Sequence, residues 1–149
     1  MKVLIVLLTA FAIALFAIKI QSDKYDIALS ARIAMSVMLI FTAIGHFVYI
    51  KGMTMMMPDF IPFKTAMVYL TGIIEILAAI GLHIPGLRVL TAWLLILFFL
   101  LILPANIKAS FQHIDFQKGT VDGKGLSYLW FRIPLQVLFI VWTYMCAIR

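Results

Sequence analysis

The chain has 149 residues, of which 65% are apolar and 12% charged. A soluble domain carries about 25% charged residues, so this chain lacks the polar surface for water and reads as an integral membrane protein. Its net charge of +6 would suggest a nucleic-acid partner in a soluble protein, but here the cations fall between apolar runs, where loops meet lipid headgroups, and no nucleic acid is expected.

Five apolar stretches run in order: Val3–Ile20, Ile33–Ile50, Thr65–Leu82, Val89–Pro104 and Leu129–Ile148. Each is about long enough to cross roughly 30 Å of hydrocarbon at about 1.5 Å per residue. None alternates with period two, so they are predicted as helices, giving an all-α transmembrane bundle in a single membrane domain, residues 1–149. The first stretch starts after Lys2 and reaches Asp23, Lys24 and Asp26 with no small-x-small cleavage site, which predicts a retained anchor. The lone Cys146 excludes an internal disulfide and any two-thiol relay within the chain.

Five spans put the ends of the chain on opposite sides. The N-terminal side, side A, collects Lys2, Lys51, Lys64, Lys108, Lys118, Lys124 and Arg132. Side B collects Lys19, Lys24, Arg32, Arg88 and Arg149, and the small excess on side A predicts a cytoplasmic N-terminus. Side B has a polar link from Gln21 to Leu29 and a tight turn at Ile84–Pro85–Gly86. Side A has two longer segments: Lys51–Lys64, with MTMMMPDFIPF interrupted by Pro58 and Pro62, and Ala105–Ser127. The latter opens with Ile107, Phe111 and Ile114 at amphipathic spacing and continues into an exposed QKGTVDGKG turn. Elaboration on one side points to function there.

Glu75 lies about ten residues into the third stretch, roughly 15 Å deep, near the bilayer midplane. An unpaired acid there costs on the order of 3 kcal/mol, so it is expected to face the bundle and find a partner. Gly72 and Ala79 on its face would let a neighbouring helix approach. Arg132, with Gln136 at i+4, is the expected partner, because Gln136 lies nearly level with Glu75. Pro134 is placed in the first turns of that helix. His46 enters the same leaflet from the second stretch, and Asn106, beyond Pro104, reads as a cap for freed carbonyls. His46, Glu75, Asn106, Arg132 and Gln136 are therefore the candidate ligand-binding residues. Two readings stay open: a polar lock that sets helix register, or a site that binds a small amphiphile and handles protons.

His83 and His113 read as interfacial or solvated. His46 and His83 fall on opposite sides and cannot ligate one haem. Met53, Met55, Met56 and Met57 read as adaptable packing rather than a copper site, so no metal is expected. No CxxC, HExxH, phosphate loop or serine elbow is present.

The GHF of Gly45–Phe47, MMMPDFIPFK of Met55–Lys64, LTGIIEILAAIGL of Leu70–Leu82, LPANI of Leu103–Ile107 and FRIPLQ of Phe131–Gln136 together resemble the DoxX-like membrane proteins, over about Ala31–Trp142. The resemblance implies a compact four-helix core, with the first span as an added N-terminal transmembrane helix. It also implies one of two roles: an accessory subunit of a quinone-linked redox complex, or a non-catalytic assembly factor. The family's redox-linked cysteine pair is missing here.

The expected function is thus a polar intramembrane pocket open to side A that binds a quinone-like or lipid-like amphiphile, closed by the MMMPDFIPF loop. No cofactor is expected to be held covalently. The expected partners are the lipid bilayer, a membrane partner subunit and a second copy of the chain.

Overall fold

A computed structural model describes residues 1–149. It contains seven α-helices and no strand beyond an isolated Asp115–Thr120 bridge. Helix α1 spans Lys2–Ser22, α2 Ile27–Val48, α3 Ile50–Met56, α4 Lys64–Gly81, α5 Arg88–Leu101, α6 Leu103–Phe111 and α7 Leu126–Thr143, which runs on into a π-helical turn at Tyr144–Ile148. Five helical segments are long and apolar enough to cross a membrane: α1, α2, α4, the α5–α6 pair and α7 with its π turn.

The helix ends follow local chemistry. Asp23 adopts a left-handed conformation and returns its N–H to the Lys19 carbonyl, while Asp26 accepts from Leu29 N–H at 2.8 Å and caps α2. The expected Gln21–Leu29 link therefore shrinks to Asp23–Asp26, because α1 and α2 are each longer than their apolar runs. Pro104 does not close the fourth span. It sits in the first turn of α6, where its missing N–H breaks no helical bond, and the Asn106 N–H reaches the Ile102 carbonyl at 3.2 Å. Pro134 moves the other way: α7 starts at Leu126, so this proline lies inside the helix and leaves the Trp130 carbonyl without its helical donor.

Helices α2, α4, α5 and α7 form a ring in which α2 packs on α4, α4 on α5, α5 on α7 and α7 back on α2. Helix α1 lies outside the ring along α2, with Phe11 edge-on to Trp142 at 5.2 Å. The core between them is made of Ala34, Met35, Met38, Leu39, Leu82, Leu95, Phe99, Leu135 and Phe139. Much of the remaining apolar surface points outward, as a bundle with lipid for solvent requires.

On side A the two long segments pack on each other. Met56 is buried with Ala109 and Ile114, and the Lys108 Nζ donates to the Met57 carbonyl at 2.6 Å and to Asp59 at 2.8 Å. Lys64 also reaches Asp59, at 3.1 Å. The hydrogen bonds from Lys108 and then Lys64 hold the Asp59 carboxyl below its usual range. Gly52 presses on the Phe116 backbone so closely that a β-carbon there would collide with it. The amphipathic segment does form a helix, α6, but its buried face is Asn106, Ala109 and Ser110, while Phe111 turns outward.

Candidate functional site

Helix α4 carries Glu75 into the bundle, where it is 4% exposed, and α2 brings His46 against it. The approach depends on Gly72: a β-carbon at that position would stand 3.0 Å from the His46 β-carbon and 3.1 Å from the Phe47 ring. Only a residue without a side chain allows the two helices to meet at this level. His46 Nε2 then lies 3.5 Å from Glu75 Oε2.

Thr71, one turn before Glu75, decides how protons are arranged. Its hydroxyl donates to the Val68 carbonyl at 2.8 Å and stands 3.1 Å from His46 Nδ1. A hydroxyl has one proton, so with that proton on Val68 the imidazole must donate from Nδ1. The neutral ring then has a bare Nε2 facing Glu75 Oε2, a buried oxygen that has no hydrogen-bond partner. Contact between them requires one proton, carried either by the carboxyl or by the imidazole. Both arrangements leave the pair with zero net charge, which suits an apolar interior.

The other three expected residues are engaged elsewhere. Arg132 is not the partner of Glu75. Its Nε donates to the Tyr128 hydroxyl one turn earlier, and its guanidinium lies over the rings of Tyr128 and Phe116 at 4.9 and 5.8 Å. The physical reason is azimuth: α4 packs on α2 and α5, whereas α7 packs on α5 and α2, so α4 and α7 occupy opposite corners of the ring. Gln136 Nε2 donates to the Phe99 carbonyl of α5 at 3.4 Å and leaves Oε1 buried without a partner. Asn106 is 4% exposed and its side chain makes no hydrogen bond; its backbone, not its side chain, joins the chain across Ile102. Of the five residues, only His46 and Glu75 thus meet each other.

Two surface grooves lie near this region, and none of the five side chains lines either of them. A groove of about 530 Å³ runs along the start of α4, lined by Phe63, Lys64, Thr65, Ala66 and Tyr69. Tyr69 packs on Phe47 with ring centroids 5.8 Å apart, and Phe47 is the neighbour of His46. The His46 side chain retains 17% exposure, so it is the member of the pair that can be reached from outside. A second groove of about 190 Å³ lies between α1 and α7 at Leu4, Trp130, Phe131, Pro134, Leu135 and Leu138. The loop expected to close a mouth is instead fastened to α6, and Phe60 and Phe63 project outward, each 84% exposed.

Several participants escape a reading of the sequence. Thr71 was accessible, being four residues before Glu75 on the same helical face. Tyr128 likewise precedes Arg132 by four. Phe116 carries no local signal, since the loop fold alone brings it under Arg132. On side B, Ser36 Oγ donates to the Ala79 carbonyl at 2.8 Å and meets His83 Nε2 at 3.0 Å, tying α2 to the end of α4.

Over residues 35–147 the chain matches a family model described as a domain of unknown function (DUF8561). No curated protein and no solved structure matches it.

Proposed function

The chain belongs to the family described as a domain of unknown function (DUF8561), and from that footing we propose that it binds a quinone-like or lipid-like amphiphile on side A through the His46–Glu75 pair. The observation that carries the reading is a buried carboxylate facing a half-buried histidine, a pair that needs one proton and has one edge open to the outside. A structural lock alone has no use for that open edge. The apolar body of the ligand lies along the α4 groove beside Phe63 and Tyr69, with its polar head toward Phe47 and His46.

In this reading His46 hydrogen-bonds an oxygen of the head, and Glu75 fixes the imidazole and exchanges the shared proton with it. Thr71 keeps Nδ1 in the donor state, so proton traffic passes through Nε2 alone. Arg132 and Gln136 act in support of the bundle rather than on the head. Electrons, where the ligand is a quinone, come from a partner subunit of a redox complex, for which this chain serves as a membrane accessory. The DoxX-like resemblance and a cytoplasmic side A belong to the same proposal.

Purified protein in mild detergent should bind a short-chain benzoquinone saturably, read by quenching of tryptophan fluorescence. Glu75→Gln and His46→Gln should each weaken the binding about tenfold, as loss of a charge-assisted hydrogen bond does. Equal binding by wild type and both variants would remove the site assignment.

A further inference from the structure

The groove between α1 and α7 is not used by the His46–Glu75 reading. Helix α1 packs along α2 and meets α7 through Phe11 and Trp142 in the side B half. Toward side A the two helices part and leave the groove of about 190 Å³, with Leu4 on one wall and Trp130, Phe131, Pro134, Leu135 and Leu138 on the other. By rise along α7 this lining covers roughly 6 to 18 Å from the side A end of the helix, the level of the acyl chains in one leaflet.

Arg132 stands at the upper end of that groove. It follows Phe131 and lies one turn before Leu135 on a shared helical face, and the tilt of side chains toward the helix N-terminus carries its guanidinium to side A. The group is held in place: Nε donates to the Tyr128 hydroxyl, and the guanidinium lies over the Tyr128 and Phe116 rings at 4.9 and 5.8 Å. Its two Nη groups have no hydrogen bond or ion pair in the protein, and neither is closed off from the outside. The acids of side A are committed to other partners, Asp59 to Lys64 and Lys108, Asp115 to Lys118 and Asp122 to Thr120. Trp130, at the same end of the groove, is 82% exposed, and its indole N–H, unlike that of Trp142, has no acceptor in the protein.

An oriented guanidinium with both Nη groups open suits an anion that offers oxygens in pairs, as a phosphate does. The apolar groove directly below it suits a hydrocarbon chain, and an interfacial tryptophan marks the headgroup level between the two. We infer that Arg132 and the α1–α7 groove hold a phospholipid with an anionic headgroup in the side A leaflet. Its phosphate oxygens accept from the Arg132 Nη groups, and one acyl chain lies along Leu4, Pro134 and Leu138.

Native mass spectrometry of the full chain in mild detergent, supplied with phosphatidylglycerol or phosphatidylcholine, tests this. The wild type should retain phosphatidylglycerol about tenfold more than phosphatidylcholine, and about tenfold more than Arg132→Gln does. Leu138→Trp, which fills the groove and keeps the arginine, should lose phosphatidylglycerol to a similar degree. Lys24→Gln, which removes an exposed cation on side B, should match the wild type. Where Arg132→Gln loses its helicity by circular dichroism, Leu138→Trp and the wild-type preference between the two lipids decide. Equal retention of the two lipids, undiminished retention by a folded Arg132→Gln or by Leu138→Trp, or an equal loss in Lys24→Gln overturns the inference. So does a wild type found as a lipid-free dimer, in which a second copy covers the groove.

Discussion

His46 Nε2 stands 3.5 Å from Glu75 Oε2 while its Nδ1 is 3.1 Å from the Thr71 hydroxyl, so one imidazole joins α2 to two successive turns of α4. The two groups should therefore behave as a unit. Replacing either His46 or Glu75 with Leu leaves its partner buried alone and should cost about 2–3 kcal/mol. The double replacement should cost less than the sum, with a coupling of about 1 kcal/mol or more, read from thermal unfolding in detergent. Strict additivity would mean that the pair does not interact.

The five spans were legible because crossing a bilayer demands long apolar runs, and Glu75 stood out because such runs tolerate few acids. Its partner was not legible. Rise per residue gives the depth of a side chain, and by depth Gln136 lies nearly level with Glu75 while the long arm of Arg132 reaches toward it. Which helices are neighbours is settled by packing around the axis, and that put α2, with His46, beside α4. Gly72 carried the relevant hint, since a helix that needs close approach at one level must meet something there. The Lys108–Asp59 and Ser36–His83 contacts join positions far apart in the chain and follow only from the folded path.

Glycine at position 52 should be strictly required. A β-carbon there collides with the Phe116 backbone, which cannot move without shifting the side A loop. Gly52→Ala should lower stability by about 1–3 kcal/mol. Gly86→Ala, at a turn where nothing lies within 4 Å, should change it far less. Thermal melts of the two variants side by side give the comparison, and equal shifts would contradict the packing of α3 on the loop.

Asp59 should hold the methionine-rich segment in place. Asp59→Asn removes the acceptor shared by Lys108 and Lys64, leaving Lys108 with the Met57 carbonyl alone. Limited proteolysis should then cut between Met57 and Phe63 faster than in the wild type. Because the Asp59 carboxyl is held below its usual range, its contribution is present above the unfolded value and lost only as pH falls through the folded one. Cleavage of the wild type should accordingly stay constant between about pH 6 and 8.

Stability should be sensitive to mild acid through His83. Ser36 gives its proton to the Ala79 carbonyl, so His83 donates from Nε2, and burial together with the Arg32 charge holds the ring below its usual range. A histidine lowered in the folded state takes up a proton on unfolding. Stability should therefore be unaffected above about pH 6.5 and should fall as pH drops below it. His83→Gln should flatten that part of the pH profile of thermal unfolding, whereas an unchanged profile would show that His83 is not its source.

The central claim, that the His46–Glu75 pair receives the head of an amphiphile, is tested most directly by what the protein carries out of its own membrane. Wild type and His46→Gln/Glu75→Gln are purified identically in mild detergent, extracted with organic solvent and compared by mass spectrometry. A quinone-like or lipid-like molecule present with the wild type in near-stoichiometric amount and depleted about tenfold or more from the variant is the predicted result. An empty wild type, or the same molecule in equal amount from both, would contradict it.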